Sequence, residues 1–522
     1  MSESNPKELL GPRAYLLLFA AVKVLIHFGV GNGYGYFRDE FYYLACSEHL
    51  AWGYVDQPPL SILILWSGRH VLGDSVFAIR CLAALAGGAT VYLVGWMAGR
   101  LGGGRFAQGL AMTAAIVAPL YLGLNGFYSM NAFDLLLWAA AAAVLIRILQ
   151  GTGERAAGTV DTRLWLLLGL VLGLGLMNKI SVLWLGFGLF IGLVLTPARR
   201  FLLTRGPWLA GILALVIFLP HILWQVANDW PTLEFIRNAT GDKMRSVALL
   251  DFFSAQFLSM HPLNAPIWIA GLIYLLVLKG GRRFRSLGWI YLAVMVLLLL
   301  NRTSRPGYLS PAYTMLFAAG GVAIEGWLAR LRRRLVAQAA ILSLLALGGS
   351  ALAPLALPVL DIDDYIGYAR SIGVAPSTSE RKELRELPQH YADMFGWQEL
   401  VATLAGIYHT LPDGDRERAA FFVGNYGEAG AIDHLGRRYD LPQATSGHNN
   451  YWLWGPRGYS GEVMIVVGGS RDEHLGVFEQ VEQAGTTDCH YCMPYEDDQP
   501  IFVCRGLKVP LAEIWPRLKH FD

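Results

Sequence analysis

Charge is scarce in this chain. Of 522 residues, 16% are Asp, Glu, Lys or Arg and 54% are hydrophobic, whereas a soluble domain carries about 25% charged residues. The shortage excludes a wholly soluble protein. It is confined to the first 360 or so residues, where apolar runs of membrane-spanning length alternate with short charged loops. Beyond them the composition is that of a soluble domain, so two parts are expected, 1–360 and 361–522. The net charge of +2 selects no class of partner, and nucleic acid is not expected as one.

Three further absences narrow the reading. No small-x-small cleavage site follows the apolar run Tyr15 to Val30, which reads as an uncleaved first span. Cysteine is rare, at five residues, and Cys489-x-x-Cys492 has no second such pair, so the zinc signal is weak. A short disulfide, a redox pair and half a metal site stay open for it; an oxidising compartment favours a bridge among Cys489, Cys492 and Cys504, leaving one thiol over. There are also no matching halves with Gly/Pro-broken helices, the mark of many transporters. A transporter or flippase of a lipid-linked substrate is therefore the alternative reading.

What is present is a series of spans of about 20 residues. The candidates are 14–32, 75–99, 106–124, 127–149, 164–178, 180–197, 207–226, 262–279, 286–301, 308–329 and 335–358. Every second loop is basic: Lys7 and Arg13; Arg100 and Arg105; Arg147, Arg155 and Arg163; Arg199, Arg200 and Arg205; Lys279, Arg282, Arg283 and Arg285; Arg330, Arg332, Arg333 and Arg334. The positive-inside rule puts these loops in the cytoplasm. With about eleven spans the N-terminus is then cytoplasmic and the C-terminal part outside. Two outer segments, Asn32 to Asp74 and Asn228 to His261, exceed simple turns; amphipathic stretches such as Leu60–His70 suit the membrane surface. In the C-terminal part, 419–424, 463–467 and 501–504 read as strands, 425–428 as a turn, and 429–439 and the stretch near 474–483 as helices, giving a small α/β domain. Gly468-Gly-Ser470 resembles a phosphate turn only loosely.

Three constellations carry chemistry. Arg38-Asp39-Glu40 opens an aromatic outer loop, where an acidic pair can supply a general base. Tyr128, Asn131 and Asp134 share a helix face, and an ionisable group inside an apolar span is a functional candidate by default. Arg302-Thr-Ser-Arg305-Pro-Gly-Tyr308 places arginines outside, against the trend of the loops, and their planar donors match phosphate. Lys179 is a second candidate for the same anion. Asp56-Gln-Pro-Pro59 makes a rigid break that shapes the first outer loop. His221, Gln225 and His261 are cavity-lining candidates, too sparse for a metal site.

These residues also carry a resemblance. Phe37-Arg-Asp39-Glu40-Phe-Tyr-Tyr-Leu, His49-Leu-Ala-Trp-Gly-Tyr-Val-Asp56-Gln-Pro-Pro-Leu60 and Tyr128-Ser-Met-Asn131-Ala-Phe-Asp134 resemble the bacterial subgroup of the protein O-mannosyltransferase-like family. Asn425-Tyr-Gly-Glu-Ala-Gly430 and Ser446-Gly-His-Asn-Asn-Tyr-Trp-Leu-Trp-Gly-Pro456 look like the same subgroup. The resemblance implies a GT-C fold, mainly α: a polytopic transmembrane helical bundle with a C-terminal extracytoplasmic α/β domain. It implies an inverting hexosyl- or pentosyltransferase of the bacterial inner membrane, moving sugar from a polyprenyl-phosphate donor to a protein, lipid or glycan acceptor. It makes Asp39 the base with Glu40 beside it, and Asp134 a third catalytic candidate. Arg38, Tyr128, Asn131, Lys179, His221, Arg302, Arg305 and Tyr308 are the substrate-binding candidates. The family's basic residue in the late outer loop, often Lys, is matched by Arg305. Metal use varies among such enzymes; no cofactor is assigned and a divalent metal stays open.

Overall fold

The computed structural model describes residues 11–151 and 161–522; Lys7 and Arg155 of the loop pattern lie outside them. The chain is mainly helical and divides into two compact units. One comprises the chain up to Gly33 with Phe77–Leu223 and Ser246–Val359; the other comprises Tyr34–Val76, Trp224–Arg245 and Leu360–Asp522. Residues 34–76 and 224–245 thus pack with the C-terminal part.

The first unit is a helical bundle. By length and composition, six helices among the described residues suffice to cross a membrane: Pro12–Gly29, Val76–Arg100, Met130–Gln150, Arg205–Ala227, Lys279–Leu300 and Arg334–Leu355. The number rises to eight if two bent pairs each count once, Arg105–Val117 with Pro119–Gly126 (61°) and Val182–Val194 with Pro197–Leu203 (108°). Proline makes both breaks. It supplies no N–H to the turn before it and forces its predecessor out of helical geometry, and Ala118 and Thr196 are accordingly extended. Thr162–Asn178 and Pro262–Leu276 are shorter apolar helices.

Where apolar helices meet, small residues bring the backbones together. A Cβ on Gly320 would collide with the Ile267 carbonyl oxygen, and one on Gly271 with that of Leu316. The Ala265–Leu276 and Tyr313–Leu328 helices therefore interlock reciprocally.

The second unit contains a five-stranded sheet: β1 (Ala419–Val423), β2 (Ala444–Ser446), β3 (Val463–Val467), β4 (Phe478–Thr486) and β5 (Pro500–Leu507), in the order β2-β1-β3-β5-β4. β1 pairs parallel with β2 and β3, while β5 runs antiparallel to β3 and β4. Two expectations need correction, and the glycine turn at 468–470 has its own partner. The stretch near 474–483 is helical only over Arg471–Val477 and then becomes edge strand β4; buried Phe478 and Val481, three apart, mimic a helix period in a strand otherwise exposed. Residues 425–428 are no free turn: Asn425 Oδ1 accepts from Gly427 N (2.8 Å) and Glu428 N (3.1 Å), starting the Tyr426–Leu435 helix earlier than expected. The Gly468–Ser470 loop is occupied by its own acid, since Glu473 Oε2 accepts from Ser470 N at 2.8 Å. Leu60–Leu72 is helical, and all five cysteines are thiols.

The interlock yields a test. Gly320→Val overpacks the pair, with an expected loss of about 1–3 kcal/mol or more, read as a lower melting temperature in detergent. Gly326→Ala, in open space on the same helix, should leave it unchanged. Equal melting of the two variants would refute the close contact.

Candidate active site

The Arg38–Glu48 helix follows the first apolar helix, and its three leading residues do different work. Glu40 is fully buried and accepts from Phe37 N at 2.8 Å. Phe37 has no side-chain oxygen with which to cap the helix, so Glu40 does it. Asp39 keeps a 35% exposed side chain and accepts from Tyr426 Oη at 2.9 Å. Arg38 donates to Tyr495 Oη at 2.6 Å, lies 3.7 Å from Asp393 and 3.6 Å from Asp39, and covers the Tyr426 ring at 5.6 Å. Of the expected acidic pair, one member is thus committed to the backbone and the other is presented to solvent.

Tyr426 reaches Asp39 because two helices touch. A Cβ on Gly430 would sit 2.8 Å from the Phe41 backbone, so only glycine lets the Tyr426–Leu435 helix approach this closely. The 446–456 motif pins the loop from another side: Asn450 Oδ1 accepts from Tyr42 Oη and Val55 N, each at 2.8 Å.

Groups that the sequence did not single out gather here. Tyr42 Oη lies 3.1 Å from Asp56 Oδ1, and the Tyr42 and Tyr426 rings are 4.6 Å apart. Burial pushes Asp56 up to about 6, and Asp39 nearby adds to the rise. Burial likewise raises Asp393 to about 6 despite Arg38. Lys243 comes from the segment 224–245, fastened where Arg381 N donates to the Lys243 carbonyl at 2.9 Å. Burial pulls its ammonium down, while Glu380, Asp522 and Asp39 hold it up. Asp56 gave no signal beyond its Pro-Pro neighbours, and Lys243 and Asp393 gave none.

In the first unit, Lys179 donates to Asn131 Oδ1 at 2.6 Å, lies 3.9 Å from Asp134 Oδ2 and sits over the Tyr308 ring at 5.2 Å. Asp134 is buried and accepts from Ser181 Oγ at 3.2 Å. Ser129 starts this helix by accepting from Asn131 N at 3.3 Å. The structure thus brings together Asn131, Asp134, Lys179 and Tyr308. Tyr128 is fully buried with its ring against Phe133, and His221 is buried beside Phe218. Arg302 is exposed and Arg305 half-buried at the start of the Pro306–Ala312 turn. Gln225 pairs with Thr232, and His261 Nδ1 accepts from Leu263 N at 3.0 Å, a capping role.

Asp56 supplies a pH test. Its folded value of about 6 exceeds the ordinary carboxylate value near 4, so folding favours its protonated form. That contribution is complete below pH 4 and disappears as pH rises through 6. Asp56→Asn should therefore gain melting temperature relative to the unsubstituted chain between pH 4 and 6. A difference independent of pH would contradict this environment.

Residues 56–224 match the family described as dolichyl-phosphate-mannose-protein mannosyltransferase. Lipid A galacturonosyltransferase RgtD of Rhizobium johnstonii is 27% identical over 334 residues, 62% of this chain and 67% of that protein. The crystal structure of ArnT from Cupriavidus metallidurans bound to undecaprenyl phosphate aligns with a TM-score of 0.59 at 15% identity, over 94% of this chain and 98% of that one. Arabinofuranosyltransferase AftD from Mycobacteria aligns with a TM-score of 0.53 at 16% identity, over 96% of this chain and 40% of that one. This chain is an integral membrane protein with the GT-C glycosyltransferase fold, carrying the mannosyltransferase-family match in residues 56–224.

Proposed function

We propose that the chain is an inverting glycosyltransferase of the bacterial inner membrane, with Asp39 as its base and a polyprenyl-phosphate sugar as its donor. One observation carries the reading: Asp39 is a half-exposed carboxylate held by a tyrosine hydroxyl, on a helix whose neighbouring acid is spent on the cap. Asp39 takes the proton of an acceptor hydroxyl. That oxygen forms a bond to the anomeric carbon from the face opposite the phosphate. The carbon–oxygen bond to phosphate breaks, and polyprenyl phosphate leaves with the bonding pair.

The donor class is supported by the undecaprenyl phosphate in ArnT, and a lipid A acceptor by the name of RgtD. The relatives' names include a hexuronosyl- and a pentosyltransferase, so both sugar types belong in a donor panel. The basic loops support a cytoplasmic N-terminus with the second unit outside. Lys243 is a phosphate-binding candidate beside Asp39. In the first unit Lys179 and Arg305 are candidates for lipid-phosphate contact, and buried Asp134 is a positioning residue that holds Lys179 and Ser181.

Release of polyprenyl phosphate by purified protein is the decisive assay. Asp39→Asn should lose about 100- to 10,000-fold in rate, the usual worth of a general base, with melting unchanged. Equal release by the variant would move the base elsewhere. Lys179→Ala should raise the donor KM more than it lowers kcat, and Lys179→Arg should recover part of the loss. An unchanged KM would remove Lys179 from the donor site.

A further inference from the structure

The end of the chain brings a third set of side chains together. His448, His520 and Asp522 each offer one ligand atom, and these atoms lie within 4.8 Å of one another. His448 Nε2 is 3.2 Å from Asp522 Oδ1 and 3.0 Å from the Asp522 carbonyl. The two imidazole rings are 4.6 Å apart. His520 has a ring nitrogen near each of two carbonyls, Leu518 (3.1 Å) and Gly424 (3.2 Å). Either can take an N–H and leave the other nitrogen's lone pair free, the arrangement that orients metal-binding histidines.

The backbone that carries these groups is over-determined. His448 and His520 form a parallel bridge, with Asn449 N donating to the His520 carbonyl and His520 N to the Gly447 carbonyl, each at 3.0 Å. A Cβ at position 447 would collide with the Leu518 carbonyl, so glycine is required there. The indoles of Trp452 and Trp515 donate to each other's carbonyls at 3.0 and 2.9 Å. Asn449 is held at φ 48°, in a region side chains rarely adopt.

A second observation points to a ligand. His448 Nδ1 and both polar atoms of the Asn449 amide are buried with no hydrogen-bond partner among the described residues. His448 is 7% exposed and Asn449 1%. Buried polar groups are paired in the great majority of cases, and a cluster of exceptions calls for a bound ion or water.

We propose that His448, His520 and Asp522 bind a divalent transition-metal ion of the zinc class. Two imidazoles and one carboxylate suit such an ion and leave a coordination position open. Zinc with ligands at about 2.0–2.1 Å holds them about 3.4 Å apart in a tetrahedron. His448 and Asp522 already meet that spacing. Closure falls to His520, which is exposed and gives up one of its two carbonyl contacts to reach the ion. The ion clamps the final residues to the 446–450 loop. His448 lies against the Tyr426 ring at 4.6 Å, so the clamp backs the tyrosine that holds Asp39. Its role is positioning, and no bond of the substrate is made or broken at it.

The test uses the full chain in detergent, with any affinity tag removed and Cys489→Ser/Cys492→Ser in place to remove this pair of thiols as competing ligands. After stripping with chelator, the protein is dialysed against zinc alone and its metal content measured, with cobalt as a visible-absorption probe. About one equivalent should be retained, zinc should raise the melting temperature, and His520→Ala should weaken retention at least about tenfold, a loss seen even for outer partners of a metal site. Asp522→Asn provides a second variant that leaves buried His448 in place. Retention below one equivalent at saturating zinc, or retention unaltered in both variants, overturns the proposal.

Discussion

Backbone contact between two helices 387 residues apart in sequence governs the second unit. The Arg38–Glu48 helix lies against the Tyr426–Leu435 helix, and Gly430 admits Phe41 where any side chain would be refused. From that contact follow the Tyr426–Asp39 hydrogen bond, the cover of Arg38 over Tyr426 and the stacking of Tyr42 on the same ring. A side chain at 430 would push the helices apart and release the acid from its partner. Packing and chemistry share one interface here, which is why the candidate base can be partly exposed and still fixed.

Both units hold their carboxylates by hydroxyl and cation partners, with opposite results. Asp134 is buried among Ser181, Lys179 and the apolar bundle, where an ionisable group is expensive and has to be paired. Asp39 sits at a helix start with one face open. The first arrangement suits holding a cation in place and the second suits receiving a proton. In the sequence both are catalytic candidates, because spacing and residue type are the same for either task; burial separates them.

Local patterns were readable and distant ones were not. Apolar runs marked nearly every helix of the first unit, because a bilayer demands length and hydropathy within one segment. Strands β1, β3 and β5 were legible as short apolar runs, whereas β2 has only three residues and β4 is an exposed edge whose two buried side chains keep a helix-like period. Asp39 stands out as a candidate through its neighbours. Glu40's role as a cap, the elevated Asp56 and Asp393, and the placement of Lys243 depend on segments that meet only in the folded chain. The 446–456 motif was recognisable but mute, because Asn450 acts on Tyr42 and Val55 of another segment.

The second unit is assembled from three separate stretches of chain, and this bears on how the protein is made. Tyr34–Val76 leaves the ribosome early, Trp224–Arg245 much later, and the Tyr426–Leu435 helix that packs on the first of them later still. The Arg38–Glu48 helix must therefore wait, with its buried tyrosines uncovered, while the intervening membrane helices are inserted. The closure entropy of so long a loop grows only slowly with length, so the delay costs little stability but leaves a long interval of exposure. Biogenesis, more than equilibrium, is the stage at which this segment is vulnerable to misfolding and proteolysis.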